Sequence, residues 1–243
     1  MPAGIEHFND AGRLVFSSED GQTTYVLKRS GQVACVASSW GFQSVSMFDV
    51  NFSDVPNAIV AISGGNGYLA ALWVSSSGFK QYLSDAPVGT VFNYFVFVNV
   101  NIYPVSEKFG IEAYNSAGQL TFSSTAYTMR TLNVITVGGG LPAYTGPQSY
   151  PGKQLAFSHG VYSGKNIHFN MDPDSGGVMY DQIWDANGFS IGGGGSFIGF
   201  GAVPYVNGRF GPTPESFIGP DFYVGAIVLL LNVTNVPIGV TVF

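Results

Sequence analysis

Apolar and polar residues alternate with period two along most of the chain. Tyr94, Val96, Val98, Val100 and Ile102 share one parity, with Asn93, Asn99 and Asn101 on the other, which predicts a half-buried strand. Shorter runs at 58–63, 69–75, 79–83, 153–158, 167–171 and 179–184 are bounded by Gly, Pro, Asp or Asn and also predict strands. No window of twelve residues keeps helical spacing without a Gly or Pro in it, and β-branched residues are frequent. The expected class is all-β, built as two tandem β-sandwich-like units.

The division into two comes from an internal repeat. Residues 4–18 read GIEHFNDAGRLVFSS and residues 110–124 read GIEAYNSAGQLTFSS, identical at ten of fifteen positions without a gap. A weaker echo aligns 97–104 (FVNVNIYP) with 230–237 (LLNVTNVP), sharing Asn, Val and Pro at equal spacing. A tandem duplication accounts for both, with unit one at 1–109 and unit two at 110–243, the second longer and with Gly-rich loops. Each repeat opening alternates on both sides of a polar turn, the pattern of a short hairpin. Gly12 and Gly118 fall where the turn needs positive φ. Asn9 and Asn115 start it, where a side-chain oxygen can bond the backbone ahead.

Composition narrows the function. Nine basic and fifteen acidic residues among 243 leave the chain poor in charge, and net charge is −6. Phosphate is repelled and the basic residues do not cluster, so nucleic acid is excluded as a partner. The longest apolar run, 224–231, is too short for a membrane span. The N-terminus, MPAGIE, shows no basic segment followed by an apolar one, and Cys35 is the one cysteine. Both fit synthesis and folding in a reducing cytoplasm. Val33, Ala34 and Val36 around Cys35 predict a buried thiol rather than a nucleophile. So little charge leaves a surface suited to being covered by neighbours.

Candidate chemistry is sparse. Residues 188–192 (GFSIG) match the spacing of a hydrolase nucleophile elbow around Ser190, but the glycines that follow cannot readily start the helix that mechanism needs. This run and 138–140 (GGG) read as Gly loops and lack the Lys-Ser/Thr ending of a phosphate loop. Asp172 and Asp174, with Asp181 and Asp185 further on, supply only a start towards calcium's six to eight oxygens. His159 and His168 lie on different predicted strands with no Cys partner, which gives zinc no support. No catalytic residue, metal or cofactor is therefore expected. The aromatics Trp40, Phe42, Tyr68, Tyr144, Tyr150, Tyr162, Trp184 and Tyr205 sit in or beside Gly/Ser/Asn-rich segments. Packing or assembly is their leading role, and stacking on sugar rings the alternative.

The repeat opening G-I-E-x-[FY]-N-x-A-G-x-L-x-F-S-S resembles the start of small tail-region proteins of tailed bacteriophages, encoded near baseplate and tail-fibre genes. The follow-up at 127–130 (YTMR), less closely at 25–28 (YVLK), and the YPGK at 150–153 are similar too. The resemblance covers the first 30 or so residues of each unit. It implies a place in the virion tail beside other tail proteins and carries over no functional residue, because the matched positions are hairpin residues. The expected function is a non-enzymatic structural component of a tail: baseplate, tail tip or fibre-associated. It would form a homo-oligomer, with a trimer favoured, and contribute to attachment to a host surface glycan or protein. Residues 141–220 of unit two are expected to face outward. A carbohydrate-binding module is the second reading, and a polysaccharide hydrolase with paired acids the weakest.

Overall fold

The computed structural model describes residues 6–8, 14–17, 24–38, 45–55, 57–102, 110–137, 148–159, 165–171, 180–210 and 226–242. Within these residues the chain is all-β. The strands of the first half are β1 (Glu6–Phe8), β2 (Leu14–Ser17), β3 (Tyr25–Ala34), β4 (Val36–Ala37), β5 (Ser46–Asn51), β6 (Ile59–Gly64), β7 (Ala70–Ser75), β8 (Phe79–Ser84) and β9 (Val91–Asn99). Those of the second half are β10 (Glu112–Tyr114), β11 (Leu120–Ser123), β12 (Arg130–Val137), β13 (Gln148–Ser149), β14 (Leu155–His159), β15 (Lys165–Met171), β16 (Tyr180–Gly192), β17 (Phe197–Phe210) and β18 (Ala226–Asn232).

The repeated segments fold alike. In β1–β2, Glu6 faces Ser17, His7 faces Phe16 and Phe8 faces Leu14; in β10–β11, Glu112 faces Ser123, Ala113 faces Phe122 and Tyr114 faces Leu120. Both hairpins carry the register shift at the same step. The turn chemistry is visible in the second copy. Asn115 Oδ1 accepts from the N–H of Ala117 at 3.1 Å and of Gln119 at 2.9 Å, and Gly118 has φ +75°. Asn9 and Gly12 lie outside the described residues.

Two sheets form the body. A six-stranded sheet runs β12-β18-β14-β6-β9-β3, and a larger one runs β13-β17-β16-β7-β8-β5-β4 with β15 added on β16. Every pairing is antiparallel. In each sheet the two halves of the chain lie side by side and meet at one seam. β6 joins β14 through Ile62 and Phe157, and β7 joins β16 through Ala70 and Phe189. Outward from the seam the smaller sheet reads β6, β9, β3 one way and β14, β18, β12 the other, which is the same connectivity in both halves. The larger sheet repeats this as β7, β8, β5 against β16, β17, β13. In both sheets, strands from residues 25–99 thus lie edge to edge with strands from residues 130–232.

The six-stranded sheet curls until its ends touch. Residues 127–129, which run straight into β12, pair antiparallel with β3: Leu27 N–H donates to Tyr127 O at 2.8 Å and Met129 N–H to Tyr25 O at 2.7 Å. Val26 faces Thr128, its own counterpart in the YVLK/YTMR echo. Further along, residues 240–242 cover β3, with Ser30 N–H donating to Val240 O and Val242 N–H to Lys28 O. No long stretch of β3 remains as an open edge.

The main core lies between the sheets. It includes Phe48, Phe52, Tyr82, Phe92, Phe157 and Phe189, all essentially inaccessible to water. Each such ring contributes roughly 2–3 kcal/mol on burial. A second core, Leu27, Ala61, Phe95, Phe97, Ala156, Leu231 and Val233, lies on the other face of the curled sheet beneath Val236, Val240 and Val242. That second core changes the reading of β9. It is buried on both faces, since Phe95 and Phe97 fill the side that carries Asn93 and Asn99. The strand also stops at Asn99, and residues 100–102 form a 3₁₀ turn that leaves Ile102 exposed.

The region 188–201, expected as a Gly loop, is instead a long hairpin of β16 and β17 whose turn occupies only residues 193–196. Glycine is used there for close approach. A Cβ on Gly188 would lie 2.8 Å from Val203 Cγ2 and 3.1 Å from Leu69 Cβ.

Candidate functional site

A cavity of about 400 Å³ opens at one end of the seam. β6 ends there in Ser63 and Gly64 and turns through the 3₁₀ segment Gly65–Gly67 towards the other sheet. Asn93 and Phe95 of β9 stand beside it in register, with Ser63 facing Asn93. From the second half come Gln154, just before β14, and Val233 and Ile238, after β18. The β16–β17 turn supplies the last wall. Gly193, Gly194 and Gly195 have φ of +59°, +69° and +100°, a run that only glycine adopts without strain. That wall is bare backbone, and a Cβ at Gly193 would strike the Phe197 ring.

The lining is neutral. Its polar groups are the Ser63 hydroxyl and the amides of Asn66, Asn93 and Gln154; its floor is Phe95, Ile191, Val233 and Ile238. Among the described residues, no Asp, Glu, Lys, Arg or His lines it. Gln32 Nε2 donates to Asn93 Oδ1 at 3.1 Å, which fixes that amide's orientation. Gln154 is held by its backbone, with its N–H donating to Thr234 Oγ1 at 2.8 Å and its carbonyl accepting from Val233 N–H.

The other end of the seam is closed by a polar cluster inside the core. His159 is 3 % exposed, and its ring centroid lies 5.5 Å from Phe157, 5.5 Å from Phe189 and 5.9 Å from Tyr82. Neither His159 ring nitrogen nor the Tyr82 hydroxyl has a hydrogen-bond partner among the described residues. Burial, reinforced by the Lys80 charge, pushes the His159 imidazole down to about 3, so it is neutral at pH 7. Lys80 is also buried; its Nζ donates to His159 O at 3.4 Å, and burial pushes it down to about 8. Burial pushes the Tyr82 phenol up.

The other residues singled out in the sequence are dispersed. Ser190 lies in β16 opposite Gly199, on a strand followed by a hairpin turn, not the strand-to-helix corner of a nucleophile elbow. Asp172 and Asp174 lie outside the described residues, while Asp181 and Asp185 fall on β16. His168 is on β15, in the other sheet from His159. No group of three or more His, Cys, Asp or Glu that could hold a metal lies among the described residues. Cys35 is buried as expected, and burial raises its thiol pKa against the lowering effect of the Ser46 and Ser84 hydroxyls.

Of the eight aromatics, Trp40, Phe42, Tyr144 and Tyr162 lie outside the described residues, and Trp184 and Tyr205 fall on β16 and β17. Tyr68 is exposed beside the Gly65–Gly67 turn. Tyr150 packs against the main core and donates its hydroxyl to Gln148 Oε1 at 3.1 Å. No helix among the described residues is long and apolar enough to cross a membrane.

Sequence reasoning did not assemble the cavity, because its lining spans residues 63 to 238. The one local signal was the Gly192–Gly195 run, which read as a loop. Compared with known proteins, the chain matches no family model, no curated protein and no solved structure.

Proposed function

We propose that the chain is a non-enzymatic structural component of a bacteriophage tail, at the baseplate, tail tip or fibre, and contributes to host attachment. The observation that carries this reading is the character of the exposed surface. Ile111, Val88, Val36, Ile102 and Val134 are each more than half exposed. Among the described residues one ion pair is found, Arg29 Nη1 to Asp54 Oδ2 at 2.8 Å. A surface this poor in charge, with exposed aliphatic side chains on it, suits contact with neighbouring subunits. The resemblance of the hairpin motif to the start of phage tail-region proteins agrees with it. In an assembly, many copies would turn weak host contacts into firm attachment.

Mass spectrometry of purified particles, with antibody labelling in the electron microscope, tests the proposal. The chain is expected at the tail in a fixed copy number, and its absence from particles would refute the reading. A second reading, a carbohydrate-binding module, is favoured by one observation: the neutral, amide-rimmed cavity at the seam.

A further inference from the structure

The cavity carries more chemistry than the fold requires. Ser63 is 8 % exposed, sits on β6 and lines the cavity. Its hydroxyl offers a donor and an acceptor at the cavity wall. The side-chain amides of Asn66 and Gln154 also line it, and each offers a donor and an acceptor. With no charged side chain among the described lining residues, an ionised ligand would lose its hydration without a counter-charge. The floor of Phe95, Ile191, Val233 and Ile238 gives apolar contact that a purely hydroxylated ligand would not fill. The volume lies within the ~300–1,000 Å³ of small-ligand clefts.

We propose that the cavity binds one neutral N-acetylhexosamine unit of a glycan. Its acetamido methyl rests on the apolar floor, its acetamido N–H and C=O meet the Ser63 hydroxyl and the neighbouring amides, and its ring hydroxyls reach the rim at Asn66 and Gln154. The bare backbone of residues 193–195 lets the ring approach without a side chain in the way. The proposal rests on the glycan-binding reading above and adds the sugar class and the residues.

The full chain is titrated with N-acetylglucosamine, glucose and glucuronate, followed by saturation-transfer NMR and calorimetry. N-acetylglucosamine is expected to bind in the millimolar range, about tenfold more tightly than glucose, while glucuronate does not bind. Ser63→Ala is expected to weaken binding about tenfold, and Asn66→Gly and Gln154→Ala about fivefold each, with unchanged melting temperatures. Glycine is chosen at Asn66 because its φ is +52°. No binding of N-acetylglucosamine up to tens of millimolar would overturn the proposal. So would binding that survives all three substitutions, or glucuronate binding equally well. These outcomes are independent of the particle experiment. A chain absent from virions that still binds the sugar refutes the tail reading alone, and a tail-located chain that binds none refutes the cavity's ligand alone.

Discussion

The two ends of the seam start from the same geometry and finish differently. Counting outward from the Ile62–Phe157 bridge, β6 continues as Ser63 and Gly64, and β14 continues as Ser158 and His159. At the first end, Gly64 carries no side chain, and the space beside it is the neutral cavity. At the second, the His159 ring fills the equivalent space against Tyr82, Phe157 and Phe189. One end of the seam is thus open and the other is filled by side chains. The plugged end holds polar atoms in apolar surroundings, each at a cost of about 1–3 kcal/mol when unpaired. The open end leaves its polar atoms where a ligand can reach them.

The largest effect is expected from opening the plug. Phe157→Ala removes the ring that spans the seam and packs at 5.9 Å from Phe189, and it should cost about 3–5 kcal/mol in denaturant unfolding. A loss near that of an exposed Phe would show that the halves are not held there.

Lys80→Met should act in the opposite sense. With the folded ammonium pushed down to about 8 from an unfolded value of 10.5, the buried charge is unfavourable at neutral pH. Stability recovers only as pH rises from 8 towards 10.5, where the unfolded chain holds the proton more tightly. Methionine should stabilise the protein at pH 7 by up to about 3 kcal/mol and remove that alkaline rise. Thermal melts across pH 7–10 decide it, and a destabilised variant would mean that the bond to His159 O outweighs the burial.

The third effect is smaller and tests the histidine itself. His159 has its folded pKa depressed to about 3 from 6.5, so between these values the unfolded state binds more protons. Stability is full above about pH 6.5 and falls as pH drops through that window, by about 1.4 kcal/mol per unit. From pH 6.5 to 5 the loss is about 2 kcal/mol, and His159→Phe should abolish it. An unchanged acid slope in the variant would place the sensitivity elsewhere.

Local features were legible from the chain alone. The hairpin of 110–124 forms as its Asn-x-x-Gly turn dictates, because the bonds from Asn115 and the φ of Gly118 lie within five residues. Strands at 58–63, 69–75 and 79–83 agree with β6, β7 and β8 to within one residue at each end, since Gly, Pro and Asn punctuate them. The run 188–201 misled for the same reason. Glycine there marks close strand packing as well as a turn, and period alone cannot tell the two apart. Phe95 and Phe97 were opaque because much of what buries them arrives from residues 229–242, more than 130 positions away.

By itself the sequence determined the all-β class, the repeated hairpin, the buried thiol of Cys35 and the scarcity of charge. Each depends on residue type and short-range spacing. Only the tertiary structure decided that the two halves share both sheets, that β3 meets the start of β12, and that one seam end is open while the other is plugged. Those outcomes depend on which distant strands meet and on what a glycine or a histidine then finds beside it.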